Sequence, residues 1–367
     1  MKALKPAKGT SLRYNHIIGT GGIGSGIFFS MEGNHSLGRN ESRLGILEPY
    51  RDYCKQHIIM HYIAVLLDAS KSGAFQSFPI GKVGNDDVGQ RLLSMMDKAG
   101  MSTKYIAVCD NASTLFSVCF QYPDHSGGNI TSANSASNLV QPEDIGSFFK
   151  QYHLNGNEGI VLAAPEVPVE TRINLLKYGK EHGLLNVASI LSSEVEEFTS
   201  LKGFELTGLL AINIDEAQRI ASIEGDPPDS EMVINACLRK LQKANPEMVV
   251  LITDGSHGSY CYYKDSLEFT PSLKTQVVST AGAGDAFLAG TISGLCCGLP
   301  LLKGFSTADL NQSPLQTAVE LGTILASFSV TSSDTIHEGA NAESMEKYIQ
   351  EFGLKLSKEF SKLFLNQ

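Results

Sequence analysis

The pattern of apolar residues divides the chain into two parts near residue 140. Beyond that point, short apolar runs alternate with longer stretches that carry apolar residues every three or four positions. The apolar runs lie at 159–162, 185–189, 208–213 and 248–253, and the amphipathic stretches at 170–182 and 230–244. Strands that alternate with helices form parallel sheets covered on both faces. We therefore predict an α/β fold: a doubly wound, mostly parallel sheet with helices on both faces.

The part before residue 140 is richer in β-forming residues and turn signals. Segments 25–45 and 105–135 indicate short strands joined by turns. Between them, residues 57–67 carry apolar side chains at helical spacing. We predict one α/β domain over residues 1–340, with a small β lid built from those two segments. The tail, residues 341–367, repeats apolar residues along one face and predicts a C-terminal amphipathic helix packed on that domain.

Composition agrees with a globular enzyme and argues against several other classes. Of the 367 residues, 42% are hydrophobic, which allows a sizeable core, and the formal net charge of −10 disfavours a nucleic-acid surface. The seven cysteines contain no Cys-x-x-Cys pair, so we expect neither a zinc site nor a disulfide framework. The N-terminus lacks an apolar leader, and no 18-residue apolar run occurs. We expect a cytoplasmic protein that acts on a small-molecule substrate and binds neither nucleic acid nor membrane; a homodimer is left open.

The most informative segment chemically is the glycine turn within residues 279–287. It precedes a run of small and apolar residues that predicts a helix, so the turn lies at a helix N-terminus, where free N–H groups bind anions. Asp285 lies inside this positive end. Amides that stabilise developing charge, beside a carboxylate that accepts a hydroxyl proton, suit phosphoryl transfer. A glycine-rich turn with a capping Asp is the simpler alternative.

Residues Thr280 to Asp285 resemble the C-terminal signature Asp-Thr-x-Gly-Ala-Gly-Asp of the PfkB, or ribokinase-like, carbohydrate kinases. The resemblance implies a ribokinase-like fold with Asp285 as the catalytic base. It also implies an anion hole for the transferring phosphoryl group, formed by Gly282, Ala283 and Gly284. Ser279 replaces the leading Asp, which in the family often belongs to a monovalent-cation site, so such a site is in doubt here.

Other segments match the same family in the same order. Residues 81–89 are similar to its Gly-x-Val-Gly-x-Asp-x-x-Gly motif, and 253–258 to its nucleotide loop, Thr-x-Gly-x-x-Gly. Asn213 and Glu216 match Asn-x-x-Glu, which in the family organises Mg²⁺ and its waters. The resemblance implies an ATP-dependent kinase that phosphorylates a hydroxyl of a sugar or sugar-like molecule. It further implies that Glu216 holds Mg²⁺ through water, and that the nucleotide site includes Asn213, Glu216, Thr253, Gly255, Gly258 and Thr280.

The half of the chain that would bind the acceptor departs from the family pattern. Family members carry an Asp soon after the first strand and a Gly-Gly-x-x-x-Asn motif, but residues 21–26 contain no acid and no glycine occurs between Gly45 and Gly73. A buried hydroxyl without its acceptor costs about 1–3 kcal/mol, so we expect weak binding of plain ribose or fructose. We expect a bulkier or acidic acceptor instead. Its candidate contacts are Gly22, Asn129 and Arg51, with Lys55 and His57 as further basic candidates.

Two other functions stay open from the sequence alone. Residues 19–24 satisfy Gly-x-Gly-x-x-Gly, which would indicate an NAD(P)-dependent oxidoreductase if a helix began in the turn. The residues that follow are poor helix formers, which disfavours this interpretation. The altered acceptor half would suit a catalytically impaired protein that kept the fold for binding or regulation. Retention of Asp285 and Glu216 favours an active kinase.

Overall fold

The structure is a computed structural model that describes residues 3–70, 73–124, 126–152, 158–225 and 229–365. The strands in these ranges are β1 (His16–Thr20), β2 (Gly24–Met31), β3 (Gly45–Tyr53), β4 (Gln76–Gly84), β5 (Ile106–Cys109), β6 (Leu115–Gln121), β7 (Gly127–Thr131), β8 (Gly159–Ala163), β9 (Leu185–Ser189), β10 (Leu209–Asn213), β11 (Val249–Thr253), β12 (Gly258–Tyr263) and β13 (Ser266–Pro271). The α-helices are α1 (Lys55–Leu66), α2 (Asp87–Lys98), α3 (Pro142–Gln151), α4 (Val169–Glu181), α5 (Val195–Ser200), α6 (Gly203–Leu206), α7 (Ile214–Ala221), α8 (Ser230–Ala244), α9 (Ala283–Cys296), α10 (Ala318–Ser329), α11 (Ala342–Glu351) and α12 (Lys358–Ser361).

The main sheet has nine strands in the order β13-β12-β11-β10-β9-β8-β1-β4-β5. Every pairing from β11 to β5 is parallel, and β12 and β13 add an antiparallel hairpin at one edge. Neighbouring residues of one strand enter different cores, as Ile17 and Ile18 of β1 do, because side chains alternate across a strand. Helices α1, α9 and α10 pack on one face and α3, α4 and α8 on the other. The predicted doubly wound, mostly parallel α/β sheet is confirmed.

A second sheet of four strands, in the order β3-β2-β6-β7, forms the lid. Its strands overlap the two predicted segments, 25–45 and 105–135, with two differences. β3 begins at Gly45, where the first segment ends, and β5 lies in the main sheet, where it pairs with β4. Residue 125 of the second segment lies outside the described residues.

The tail differs from the single amphipathic helix predicted over 341–367. α11 ends at Glu351, and Gly353 follows with φ +62°, the left-handed conformation that commonly terminates helices. Leu356 then pairs with Leu315 before the short helix α12. The tail nevertheless packs on the domain, since its apolar side chains enter the core that contains α9 and α10. Residues 366–367 lie outside the described part, and the division at residue 340 stays a prediction.

The glycine turn at residues 19–24 leads from β1 into a strand, β2. A dinucleotide fingerprint requires a helix at this point, so the structure contradicts that interpretation of the turn. None of the helices in the described ranges is long and apolar enough to cross a membrane.

Helices α9 and α10 pack with their backbones close together. A Cβ atom added at Gly290 of α9 would lie 2.8 Å from the Cα of Gly322 in α10. One added at Gly322 would lie 2.5 Å from the carbonyl oxygen of Phe287. Both glycines therefore permit an approach of the two helices that any side chain would block.

We predict that Gly322→Val destabilises the protein by about 1–3 kcal/mol, because overpacking forces backbone shifts. Urea unfolding measures the difference from wild type. Gly38→Val is the control, since an added Cβ at this exposed position meets only the flexible Glu41 side chain, at 3.3 Å, and surface changes stay within about 0.5 kcal/mol. Equal losses in both variants would contradict the close-packing argument.

Candidate active site

Two strand ends and one helix start meet at the carboxyl edge of the main sheet. β10 ends at Asn213 and β11 at Thr253, and these two residues are partners in the parallel register. A Cβ added at Gly284, in the first turn of α9, would lie 3.9 Å from Oγ1 of Thr253. Ligands of open α/β sheets bind outside this edge. The structure thus brings the predicted glycine turn to the predicted ligand-binding edge.

The turn before α9 is built around Gly282, the N-cap residue, which has φ +77°. A Cβ atom there would lie 2.8 Å from the carbonyl oxygen of Thr335, so both the dihedral angle and the space require glycine. The N–H of Ala283 donates to the carbonyl of Thr280 at 3.2 Å. The N–H groups of the next residues, Gly284 and Asp285, lie in the first helical turn, which offers them no carbonyl of the same helix. With the helix dipole they make an anion-binding site.

Two cavities open on this turn. The smaller, about 260 Å³, is lined by residues of the sheet edge, among them Asn213, Glu216, Thr253 and Thr280. The larger, about 790 Å³, lies under the lid and is lined in part by Asn129 and Thr131 of β7. Three residues line both cavities: Lys55, Gly282 and Asp285. Asp285 and Lys55 therefore stand where the cavities meet.

Lys55, the first residue of α1, supplies a positive charge at this junction. Its Nζ lies 3.7 Å from Oε1 of Glu216. Burial opposes the charge on Lys55, but the carboxylates of Asp285, Glu216 and Glu166 outweigh burial and raise its pKa. For Asp285, burial raises the pKa to about 6, and Lys55 limits the rise. A carboxyl with a pKa near 6 is ionised at neutral pH and still basic enough to take a proton.

Asn213 and Glu216 begin α7 as a capping box. The Asn213 N–H donates to Oε2 of Glu216 at 2.8 Å, and the Glu216 N–H donates to Oδ1 of Asn213 at 2.8 Å. Burial raises the pKa of Glu216, and Lys55 opposes this rise. The motif therefore stabilises a helix start with one carboxylate oxygen and presents the other to Lys55 and the smaller cavity.

Only one residue of the predicted nucleotide-loop set lines a cavity at this turn. Thr253 lines the smaller cavity, whereas Gly255 and Gly258 line neither. Gly255 has φ +51° and Gly258 φ +137°, and a Cβ at Gly258 would lie 2.2 Å from the carbonyl oxygen of Thr270. Both glycines shape the turn between β11 and β12.

Of the three predicted acceptor contacts, Asn129 alone lines the larger cavity. Gly22 is buried, and a Cβ there would lie 2.6 Å from Oε2 of Glu166, so this glycine makes room for that side chain. Arg51 lines neither cavity; its backbone N–H donates at 2.8 Å to a carboxylate of the loop that follows α10. His57 is fully buried, and burial lowers its pKa to about 3, so it is neutral and no cation for an acidic acceptor.

Asp52 and Glu166 are two of the carboxylates that line the larger cavity and that the sequence did not suggest. Asp52, near the end of β3, accepts hydrogen bonds at Oδ2 from Ser117 Oγ at 3.3 Å and Cys119 Sγ at 3.4 Å. Glu166, in the loop after β8, has φ +74°, and burial raises its pKa to about 7. Its Oε2 is buried without a hydrogen-bond partner in the described part of the chain. Acidic side chains from other segments therefore line this cavity, although residues 21–26 carry none. The one sequence signal for Asp52 is its place just before a predicted helix.

A family model described as pfkB family carbohydrate kinase matches residues 61–341. The matched range contains the α9 turn, the capping box of α7 and the turn after β11. It begins after Asp52 and Lys55, so the segment that carries these residues lies outside the match.

Individual relatives and solved structures agree with this match. The bifunctional ribokinase/ribose-5-phosphate isomerase A of Fructilactobacillus sanfranciscensis is 28% identical over 228 residues, which are 62% of this chain and 40% of that relative. The deoxyribokinase of Salmonella typhi is 24% identical over 271 residues, covering 73% and 80%. This chain therefore spans less than half the length of the first relative and most of the second. The fold resembles that of aminoimidazole riboside kinase from Salmonella enterica, solved with aminoimidazole riboside and an ATP analog, with a TM-score of 0.63, 15% identity and coverage of 91% and 100%.

We predict that Lys55→Met raises the pKa of Asp285 above its value of about 6, because the variant removes the ammonium that favours the ionised carboxylate. Carbon-13 NMR titration of labelled aspartate carboxyls measures this pKa, with Asp285→Asn to assign the signal. Lys82→Met is the control, since Lys82 pairs with Asp144 at 2.9 Å and lines neither cavity. An unchanged or lower pKa in Lys55→Met would show that Lys55 does not stabilise the charge.

Proposed function

The chain belongs to the pfkB family of carbohydrate kinases, and from this premise we propose that it transfers the γ-phosphoryl group of ATP to a hydroxyl of a sugar or nucleoside, with Asp285 as the general base. The observation that carries the proposal is that Asp285 lines both cavities at the N-terminal turn of α9. A base in that position reaches an acceptor hydroxyl from one side and a phosphate group from the other.

The reaction follows from this arrangement. The acceptor hydroxyl lies in the larger cavity and the γ-phosphate in the smaller one. Asp285 takes the hydroxyl proton as the acceptor oxygen bonds to phosphorus, and the bond between phosphorus and the β-phosphate oxygen breaks to release ADP. The turn of Gly282, Ala283 and Gly284 holds the charge of the transferring group through backbone N–H groups and the helix dipole.

Lys55 has two roles in this mechanism. Its ammonium keeps Asp285 ionised at neutral pH, because it opposes the effect of burial. It also lines both cavities, so it balances the negative charge that phosphates bring beside Glu216 and Asp285.

The smaller cavity fits a nucleotide phosphate tail with Mg²⁺. Glu216 offers one carboxylate oxygen there, and Mg²⁺ binds through one or two carboxylates, substrate phosphates and retained waters. Mg²⁺, when bound, neutralises phosphate charge. We assign phosphate contacts to Asn213, Thr253 and Thr280, while Gly255 and Gly258 set the course of the chain beside the nucleotide.

We propose a neutral, hydroxyl-rich acceptor rather than an acidic one. The larger cavity contains one lysine and five acidic side chains, those of Asp52, Glu166, Glu194, Glu197 and Asp285. Glu166, with a pKa of about 7, is only partly ionised at neutral pH, but the acids still outnumber the single lysine. This excess of negative charge repels an anionic acceptor, and Arg51 is not there to bind one. The volume of about 790 Å³ exceeds the needs of a single sugar ring and admits a nucleoside, as in the Salmonella enterica neighbour crystallised with a riboside.

We predict that Asp285→Asn lowers kcat by about 10²–10⁴-fold and leaves ATP affinity nearly unchanged, because the amide keeps the shape of the side chain but takes no proton. ADP release with D-ribose, 2-deoxy-D-ribose, D-fructose and inosine measures turnover, and calorimetry measures ATP binding. Asp87→Asn, an exposed change in the first turn of α2, is the matched control. Full turnover in Asp285→Asn would remove this residue from the mechanism.

A further inference from the structure

The side chain of Asp52 crosses the lid sheet to reach a second strand. Gly26 of β2 is the register partner of Asp52 on β3 and also of Ser117 on β6, so the three residues form one row across the sheet. The carboxylate of Asp52 nevertheless contacts Ser117 Oγ, two strands away, at 3.3 Å. The Asp52 side chain thus passes through the space that a side chain at residue 26 would occupy.

Glycine at position 26 is what allows this crossing. A Cβ atom added there would lie 2.1 Å from Ser117 Oγ and 3.1 Å from the Cβ of Asp52. Any side chain at residue 26 would thus displace the pair. Gly26 thus leaves room for an acid that enters from the neighbouring strand, in a part of the chain that carries no acid of its own.

The environment of Asp52 lacks the partner that a structural carboxylate usually has. Among the described residues, no lysine, arginine or histidine forms an ion pair with it. Its side-chain donors are one hydroxyl and one thiol at long distances, and burial raises its pKa. A partly buried, unpaired carboxylate weakens the fold, so its position on the wall of the larger cavity points to a ligand.

We propose that Asp52 binds the non-reacting hydroxyls of the acceptor and so takes over the role of the acid missing from residues 21–26. This inference rests on the proposed kinase function. Asp52 and Asp285 line the same cavity, so a sugar ring between them donates hydroxyl hydrogen bonds to Asp52 and turns another hydroxyl toward Asp285. The acceptor class is a molecule with a hydroxylated sugar ring. Gly26 is a positioning residue that acts through Asp52.

Steady-state kinetics of Asp52→Asn tests this role, with D-ribose, 2-deoxy-D-ribose, D-fructose and inosine as acceptors. Loss of a charged acceptor for a buried hydroxyl raises the acceptor KM about ten- to hundredfold, while the KM for ATP stays unchanged. Gly26→Ala raises the acceptor KM in the same way, because the added methyl group displaces the Asp52 carboxylate from Ser117. Glu48→Gln is the matched control: it lies on the same strand, β3, but does not line the cavity. Thermal melts establish that each variant is folded.

The outcomes separate this inference from the function on which it rests. An unchanged acceptor KM in Asp52→Asn, with Asp285→Asn inactive, overturns the role of Asp52 and leaves the kinase function standing. If wild type phosphorylates none of the four acceptors, saturation-transfer NMR of their binding decides. Binding to wild type that is lost in Asp52→Asn supports the role, whereas equal binding to both proteins, or binding to neither, overturns it.

Discussion

A single ammonium group among several carboxylates is the constraint on which this site depends. Lys55 lies at the junction of the two cavities, and the carboxylates of Asp285, Glu216 and Glu166 together keep it charged. Without that charge, burial would raise the pKa of Asp285 further above its value of about 6. The N-terminus of α9, in whose first turn Asp285 lies, adds a second positive element. The base that we propose has to be ionised and yet basic, and the balance of burial against the charge of Lys55 gives Asp285 both properties.

The sequence predicts well those parts of the molecule whose conformation is set by residues close together in the chain. Strands of a sheet covered on both faces are continuous apolar runs, so β8 to β11 and the helices α4 and α8 follow directly from hydrophobic periodicity. The turn at Gly282 is equally local, because one left-handed residue at a helix start determines where the N–H groups point. The positions of Asp285 and of the pair Asn213 and Glu216 are likewise set by residues within one helical turn.

The acceptor side of the site could not be predicted, because the register of the lid strands decides which side chains meet there. Asp52, Gly26 and Ser117 meet only because β2 pairs with both β3 and β6 in one particular alignment, and a shift of one residue would turn each side chain to the other face. Because residues 21–26 contain no acid, the sequence suggested that the acid of the acceptor site was lost. In the structure, Gly26 leaves room for the carboxylate of Asp52. Lys55 and His57 were equally good basic candidates in the sequence. At the start of α1, however, Lys55 lines the cavities, whereas His57 is buried in the core.

The connection between β3 and α1 couples the lid to the main sheet mechanically. Asp52 belongs to the lid and Lys55 to a helix packed against the main sheet, and only Tyr53 and Cys54 lie between them. Three residues of extended chain reach at most about 10–11 Å, so Asp52 cannot lie farther than this from Lys55. A movement of the lid that took Asp52 farther than this from Lys55 would disturb the first turn of α1, whose apolar face is buried. The junction thus keeps the end of β3 close to Lys55, so the lid and the start of α1 cannot separate at this point without one disturbing the other.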